Sequence, residues 1–130
     1  MPILRLYCFS KMGNKMTEHD LQMQVAQYLN LALPSQTVWH HSPNEGKHKV
    51  YYRKLQIKKG MHTGWPDIEI IHRGRFICIE LKTAKGRLSK AQKACHGKIT
   101  LAGGLVKVCR SLEEVQQFLE MAIGKEGKRS

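Results

Sequence analysis

The chain has 130 residues, with 22 Lys and Arg against 10 Asp and Glu, so its formal net charge is +12 and its isoelectric point near 9.8. That length suits one domain around a single core, and 42% hydrophobic with 25% charged residues is a globular balance that excludes a disordered chain. No run approaches the roughly 18 apolar residues of a membrane span, and Cys8, Cys78, Cys95 and Cys109 form no CxxC pair of the kind a zinc or redox site needs.

Residues 1–15 read as an N-terminal extension, dispensable if Met12 or Met16 is the true start; the opening apolar run lacks the basic flank and cleavage site of a signal peptide. The domain proper is expected over residues 16–123. Its first helix is predicted from Thr17 to about Ala32, capped by Thr17, with Glu18 and Asp20 at its positive end and Leu21, Val25, Leu29 and Ala32 as its apolar stripe. Pro34 and Ser35 stop it. Thr37 to His41 is predicted to be a short strand, and Ser42 to Gly46 a turn. The basic stretch Lys47 to Lys59 has the makings of a helix ending at Gly60, and His62 to Pro66 is a loop.

Asp67 to His72 and Arg75 to Lys82 are β-rich runs joined by Arg73-Gly74, a two-residue hairpin turn. A helix follows from the cap Ser89 to about Leu101 and ends at Gly103-Gly104. Leu105 to Cys109 reads as a strand, and Ser111 caps a last helix through Ala122. Residues 124–130 are expected to be a disordered basic tail. This order predicts an α/β fold, a mixed central sheet flanked by helices, with Cys78 and Cys109 as ordinary core residues and free thiols that suit a reducing cytoplasm.

The hairpin carries a geometric consequence. If Arg73-Gly74 is the whole turn, His72 pairs with Arg75 and Asp67 falls opposite Glu80, on one face of the sheet with Cβ atoms about 5 Å apart. Two carboxylates so placed repel each other, and a divalent cation resolves the conflict, because Mg²⁺ or Mn²⁺ takes carboxylate oxygens at close range. Lys82, two residues beyond Glu80, points to the same face. Two acids, one lysine and a metal suit phosphodiester hydrolysis. Ile68, Ile70, Ile77, Ile79 and Leu81 lie on the opposite face and are the predicted core. A turn longer by one residue would slip this register.

The run GWPDIEI, followed after the turn by RFICIELK, resembles the PD-(D/E)XK nuclease signature, here Pro66-Asp67, twelve residues, then Glu80-Leu81-Lys82. The wider order is similar to the virus-type replication-repair nuclease (VRR-NUC) family: Glu18 opening a helix, Gly64-Trp65-Pro66-Asp67, Glu80-Leu81-Lys82, Ser89-Lys90-Ala91-Gln92, then Gly104 to Val108 before Ser111 to Val115. The resemblance spans about Glu18 to Leu119. It implies a restriction-endonuclease-like αβββαβα core in which Asp67 and Glu80 hold Mg²⁺ or Mn²⁺, the Leu81 carbonyl completes the shell and Lys82 is catalytic. Glu18 matches the first-helix acid, a candidate ligand, and Gln92 the glutamine after the signature. It also implies a homodimer that cuts branched DNA such as four-way junctions in replication, recombination or repair, in a bacterial cytoplasm if phage-encoded. Trp65 is bulkier than the residue usual before this Pro-Asp, which bears on substrate contacts rather than on the metal site.

The residue-level readings have plainer competitors. Asp67, Glu80 and Lys82 could be a surface ion cluster, Glu18 a residue favouring the helix dipole, Gln92 a solvated glutamine, and Glu69 a solvent-facing or ion-paired acid. Lys47, Lys49, Arg53, Lys54, Lys58, Lys59, Lys85, Arg87 and Lys90 flank the acids in sequence and are the expected DNA contacts, against a solvated charged face. Tyr51 and Tyr52 suit stacking on a base or plain packing. Two other functions fit the same features: a non-catalytic nucleic-acid-binding module on a nuclease fold, and a restriction-type endonuclease specific for base sequence.

Overall fold

The computed structural model describes residues 15–43 and 49–124. The expected tail from residue 125 onward, most of the expected extension and the candidate Lys47 lie outside them. The elements are α1 (Glu18–Ala32), β1 (Thr37–His41), α2 (Val50–Lys58), β2 (Ile68–His72), β3 (Arg75–Leu81), α3 (Lys90–Leu101), β4 (Leu105–Cys109) and α4 (Leu112–Ile123). The basic stretch therefore contributes a helix of its own, inserted between the first two strands of the expected core.

Local chemistry accounts for the boundaries. Thr17 and Asp20 form a reciprocal capping box at α1, and Ser89 and Gln92 form another at α3, each satisfying backbone amides that the first turn of a helix leaves unpaired. Ser111 caps α4 through the Glu114 amide. At the hairpin, Arg73 and Gly74 have φ of 49° and 82°, the two left-handed residues that a tight I′-type turn requires. The turn sets His72 opposite Arg75 and, further along, Ile68 opposite Ile79, which is the predicted register.

The four strands lie in the order β1-β2-β3-β4, with the first three antiparallel and β4 parallel to β3 across the α3 connection. Ile68, Ile70, Ile77, Ile79 and Leu81 point to one face, where they are buried with Leu21, Val25 and Leu29 of α1 and Leu112, Val115, Phe118 and Leu119 of α4. Each such side chain contributes about 1.5–3 kcal/mol by leaving water. On the other face Cys78 packs with Cys95 and Ile99 of α3, edged by Trp65, Phe76 and Val106. Burial pushes the Cys78 and Cys109 thiols up to about 12, which keeps them inert.

α2 contributes no buried residue to this sandwich. Tyr51 is 77% and Tyr52 44% exposed, which excludes core packing for both. No helix among the described residues is long and apolar enough to cross a membrane.

Candidate active site

The α3-facing side of the sheet is apolar at one end and ionic at the other. Its ionic end begins one step beyond the Ile68–Ile79 pair, where the register sets Asp67 opposite Glu80. The strands on either side, β1 and β3, hold Asp67 in place. The Ser42 amide donates to its carbonyl at 2.8 Å, and His41 Nδ1 lies 3.1 Å from the same oxygen. From the other side the Leu81 amide donates to Asp67 Oδ2 at 2.7 Å, so the carboxylate sits against the Glu80–Leu81 peptide.

Glu80 is only 2% exposed. Burial is the largest influence on it, followed by the negative charge of Asp67 and a hydrogen bond shared with Asp67. Together they push its carboxyl up to about 9, with Lys82 opposing and Glu18 adding to the shift. Lys82 and Glu18 thus both lie within electrostatic reach of Glu80, although Glu18 is exposed in the first turn of α1.

Two residues of α3 grip the Glu80 carboxylate. Gln92 Nε2 donates to Oε2 at 3.2 Å, and His96 Nε2 shares a hydrogen bond with Oε1 at 3.2 Å. Gln92 is fixed at its other end, because its Oε1 accepts the Ser89 amide at 2.9 Å in the α3 cap. It is therefore a cap and a carboxylate ligand at once, not a solvated glutamine. Desolvation, with help from Lys82, holds the His96 imidazole below its ordinary value against the pull of Asp67, and so favours the neutral ring. His96 is not among the residues singled out from the sequence. Its signal is the spacing of four residues from Gln92, which puts both on one helix face.

The loop before Asp67 is set by close contact with α3. Gly64 has φ 82°, and a Cβ there would stand 2.3 Å from the Ala91 carbonyl oxygen, so only glycine lets the loop lie against the helix. Glu69 shares the Asp67 face as the register required, and it accepts a hydrogen bond from the Trp65 indole, so it is not simply solvent-facing. On the far side, the Arg110 guanidinium donates to the carbonyls of Thr83 and Gly86 at 2.6 and 2.7 Å and ties down the loop that follows Lys82.

Of the expected phosphate contacts, Lys85, Arg87 and Lys90 are exposed on that loop and at the start of α3, while Lys49, Lys54, Lys58 and Lys59 are exposed on or beside α2 and Arg53 is half-buried. α2 lies between β1 and the loop to Asp67 in chain order.

Among the described residues no group of three or more His, Cys, Asp and Glu side chains is arranged to hold a cation unaided. Two facing carboxylates with a main-chain carbonyl nearby are still a fit donor set for Mg²⁺ or Mn²⁺. Mg²⁺ characteristically takes one or two carboxylates and leaves its remaining positions to water and phosphate. The raised Glu80 carboxyl, with the negative charge of Asp67 among its causes, marks the charge conflict a cation would relieve.

A mixed sheet between helices, with two acids and a lysine converging at one end, is the arrangement of a nuclease-fold domain. The VRR-NUC domain model matches residues 14–113, and the chain belongs to that family, which is generally a family of nucleases. No curated protein matches the sequence. A solved structure described as a VRR_NUC domain protein superposes with a TM-score of 0.67 at 20% identity, covering 85% of this chain and 90% of the other. That likeness establishes the fold.

Proposed function

We propose that this protein is a divalent-metal-dependent DNA endonuclease with Asp67 and Glu80 as metal ligands and Lys82 as a catalytic residue. The observation that carries the reading is the pair of facing carboxylates, one of them almost wholly buried, at the end of the sheet in front of α3. For a structural role this pairing is costly. Family membership and the +12 charge supply the substrate class, since a polyanion is attracted by the whole molecule and DNA is the natural partner of a nuclease domain.

Asp67, Glu80 and the Leu81 carbonyl would hold Mg²⁺ or Mn²⁺, with Glu18 a further candidate ligand. When bound, the ion polarises a phosphoryl oxygen and lowers the pKa of a water. The residues do the rest. Gln92 and His96 orient Glu80, and the Lys82 ammonium neutralises charge that develops on the phosphate in the transition state. Arg110 keeps the loop after Lys82 in shape, so that Lys85 and Arg87 meet the backbone of the DNA.

Branched DNA, four-way junctions included, is the proposed substrate. A symmetric junction needs two coordinated cuts, so the same reading expects a homodimer, with twice the chain mass in light scattering. The test is cleavage of labelled linear duplex, flap and four-way-junction DNA in Mg²⁺, Mn²⁺ or EDTA, beside Glu80→Gln. Metal-dependent cutting of the branched substrates, reduced roughly 1000-fold or more in the variant, is expected. Binding with no cutting in either metal would reject the enzyme and favour a non-catalytic binding module. Cutting of linear duplex at one base sequence would favour a restriction-type activity.

A further inference from the structure

Beside the carboxylates lies a second concavity. A cavity of about 380 Å³ is lined by His40, Ser42, Met61, His62 and Trp65, among others, and none of the described residues lining it is acidic. The sheet register locates it. β1 pairs with β2 so that His40 stands opposite Glu69 and His41 opposite Ile68. One step further, Ser42 stands beside Asp67, and its amide bonds the Asp67 carbonyl. Ser42, Asp67 and Glu80 therefore form one row across neighbouring strands, and Ser42, which lines the cavity, stands next to Asp67 in that row.

The walls are flat and aromatic. The Trp65 indole is braced by Phe76 and by its bond to Glu69, and the His62 ring leans on it at 5.9 Å between centroids with a tilt of 53°. His40 is exposed on edge strand β1, and Met61 adds an apolar, polarisable surface. Ser42 and the imidazoles supply the few polar groups. Aromatic and apolar faces with a small number of hydrogen-bonding groups, in a basic protein, suit an uncharged planar ring carried on an anionic backbone.

We infer that this cavity receives an unpaired nucleobase of the DNA strand whose phosphate lies at Asp67 and Glu80. A paired base inside a duplex cannot enter it. The site therefore selects DNA with a base already free of its stack near the cut, as at a branch or flap. The inference rests on the proposed nuclease reading for the path of the strand, and its test does not depend on cutting.

The probe is flap DNA with an abasic site walked through the nucleotides on both sides of the branch. Binding is measured by fluorescence anisotropy in EDTA, with the full chain and its His62→Ala and His40→Ala variants, which alter exposed side chains and leave the core intact. One abasic position is expected to weaken wild-type binding about 10-fold, the scale of one base–aromatic stack. His62→Ala is expected to weaken binding of intact DNA by a similar factor, and to bind the DNA abasic at that position as the wild type does. Equal affinity of the wild type for intact and abasic DNA at every position would overturn the inference. So would a His62→Ala defect that persists on the abasic DNA, which would mark a general backbone contact. Failure of the nuclease reading shows separately, as the absence of metal-dependent cutting by the wild type.

Discussion

At the scale of single residues, Glu80 is a costly side chain to bury. Its carboxyl in the folded protein stands at about 9 against an ordinary 4.5, with burial the main cause and Asp67 the second. The folded state thus holds a proton that the unfolded chain releases, and between roughly pH 4.5 and 9 each rise in pH removes stability from the metal-free protein. Glu80→Gln keeps the hydrogen-bonding shape and removes the titration. In EDTA at pH 8 it should melt roughly 5 °C or more above the wild type, with a flatter profile of Tm against pH. A wild-type Tm in EDTA that holds level across this range would contradict the account. His96 offers a second check. His96→Ala leaves Glu80 Oε1 without its imidazole partner and should weaken Mn²⁺ binding about 10-fold by calorimetry, while His96→Gln, which keeps a donor, recovers most of it. Unchanged Mn²⁺ affinity in the alanine variant would leave His96 a packing residue.

At the scale of elements, the site is an agreement between a hairpin and a helix. The face α3 turns to the sheet runs Gln92, Cys95, His96, Ile99, polar where it meets Glu80 and apolar where it meets Cys78. Gly64 is the point at which the loop to Asp67 docks on that helix. Gly64→Ala adds a Cβ against the Ala91 carbonyl at a φ that side chains avoid, and nothing soft is available to yield. It should cost about 2 kcal/mol or more in urea unfolding and lower cleavage as well, since Asp67 moves with the loop. A urea midpoint equal to the wild type would show that the loop has room the geometry denies.

At the scale of the whole molecule, +12 is an average that α2 concentrates. Lys54 and Lys58 extend into solvent on a helix with no acidic residue and no buried one. A helix of this composition gains little from packing and is suited to meeting phosphates. Replacing Lys54 and Lys58 by alanine should weaken DNA binding several-fold, and should lower the slope of log affinity against log salt by about 1 for each phosphate left unneutralised. A double variant with the wild-type slope would place α2 away from the DNA.

Much of this was legible in the residues themselves. The Arg73-Gly74 turn determined the hairpin register, the period of two along each strand determined which isoleucines enter the core, and together they set Asp67 against Glu80 before any tertiary contact was known. Caps at Thr17, Ser89 and Ser111 marked the helices because each is a local hydrogen bond. Local chemistry does not specify how far a helix is rotated about its axis when it docks, or which loop lies against it. Those follow from the joint packing of Cys95, Ile99 and Cys78, and from the close approach that Gly64 allows. Only the tertiary structure therefore decided that Gln92 and His96 hold Glu80, that Glu69 answers to Trp65, that Arg110 secures the loop after Lys82, and that an aromatic cavity adjoins Asp67.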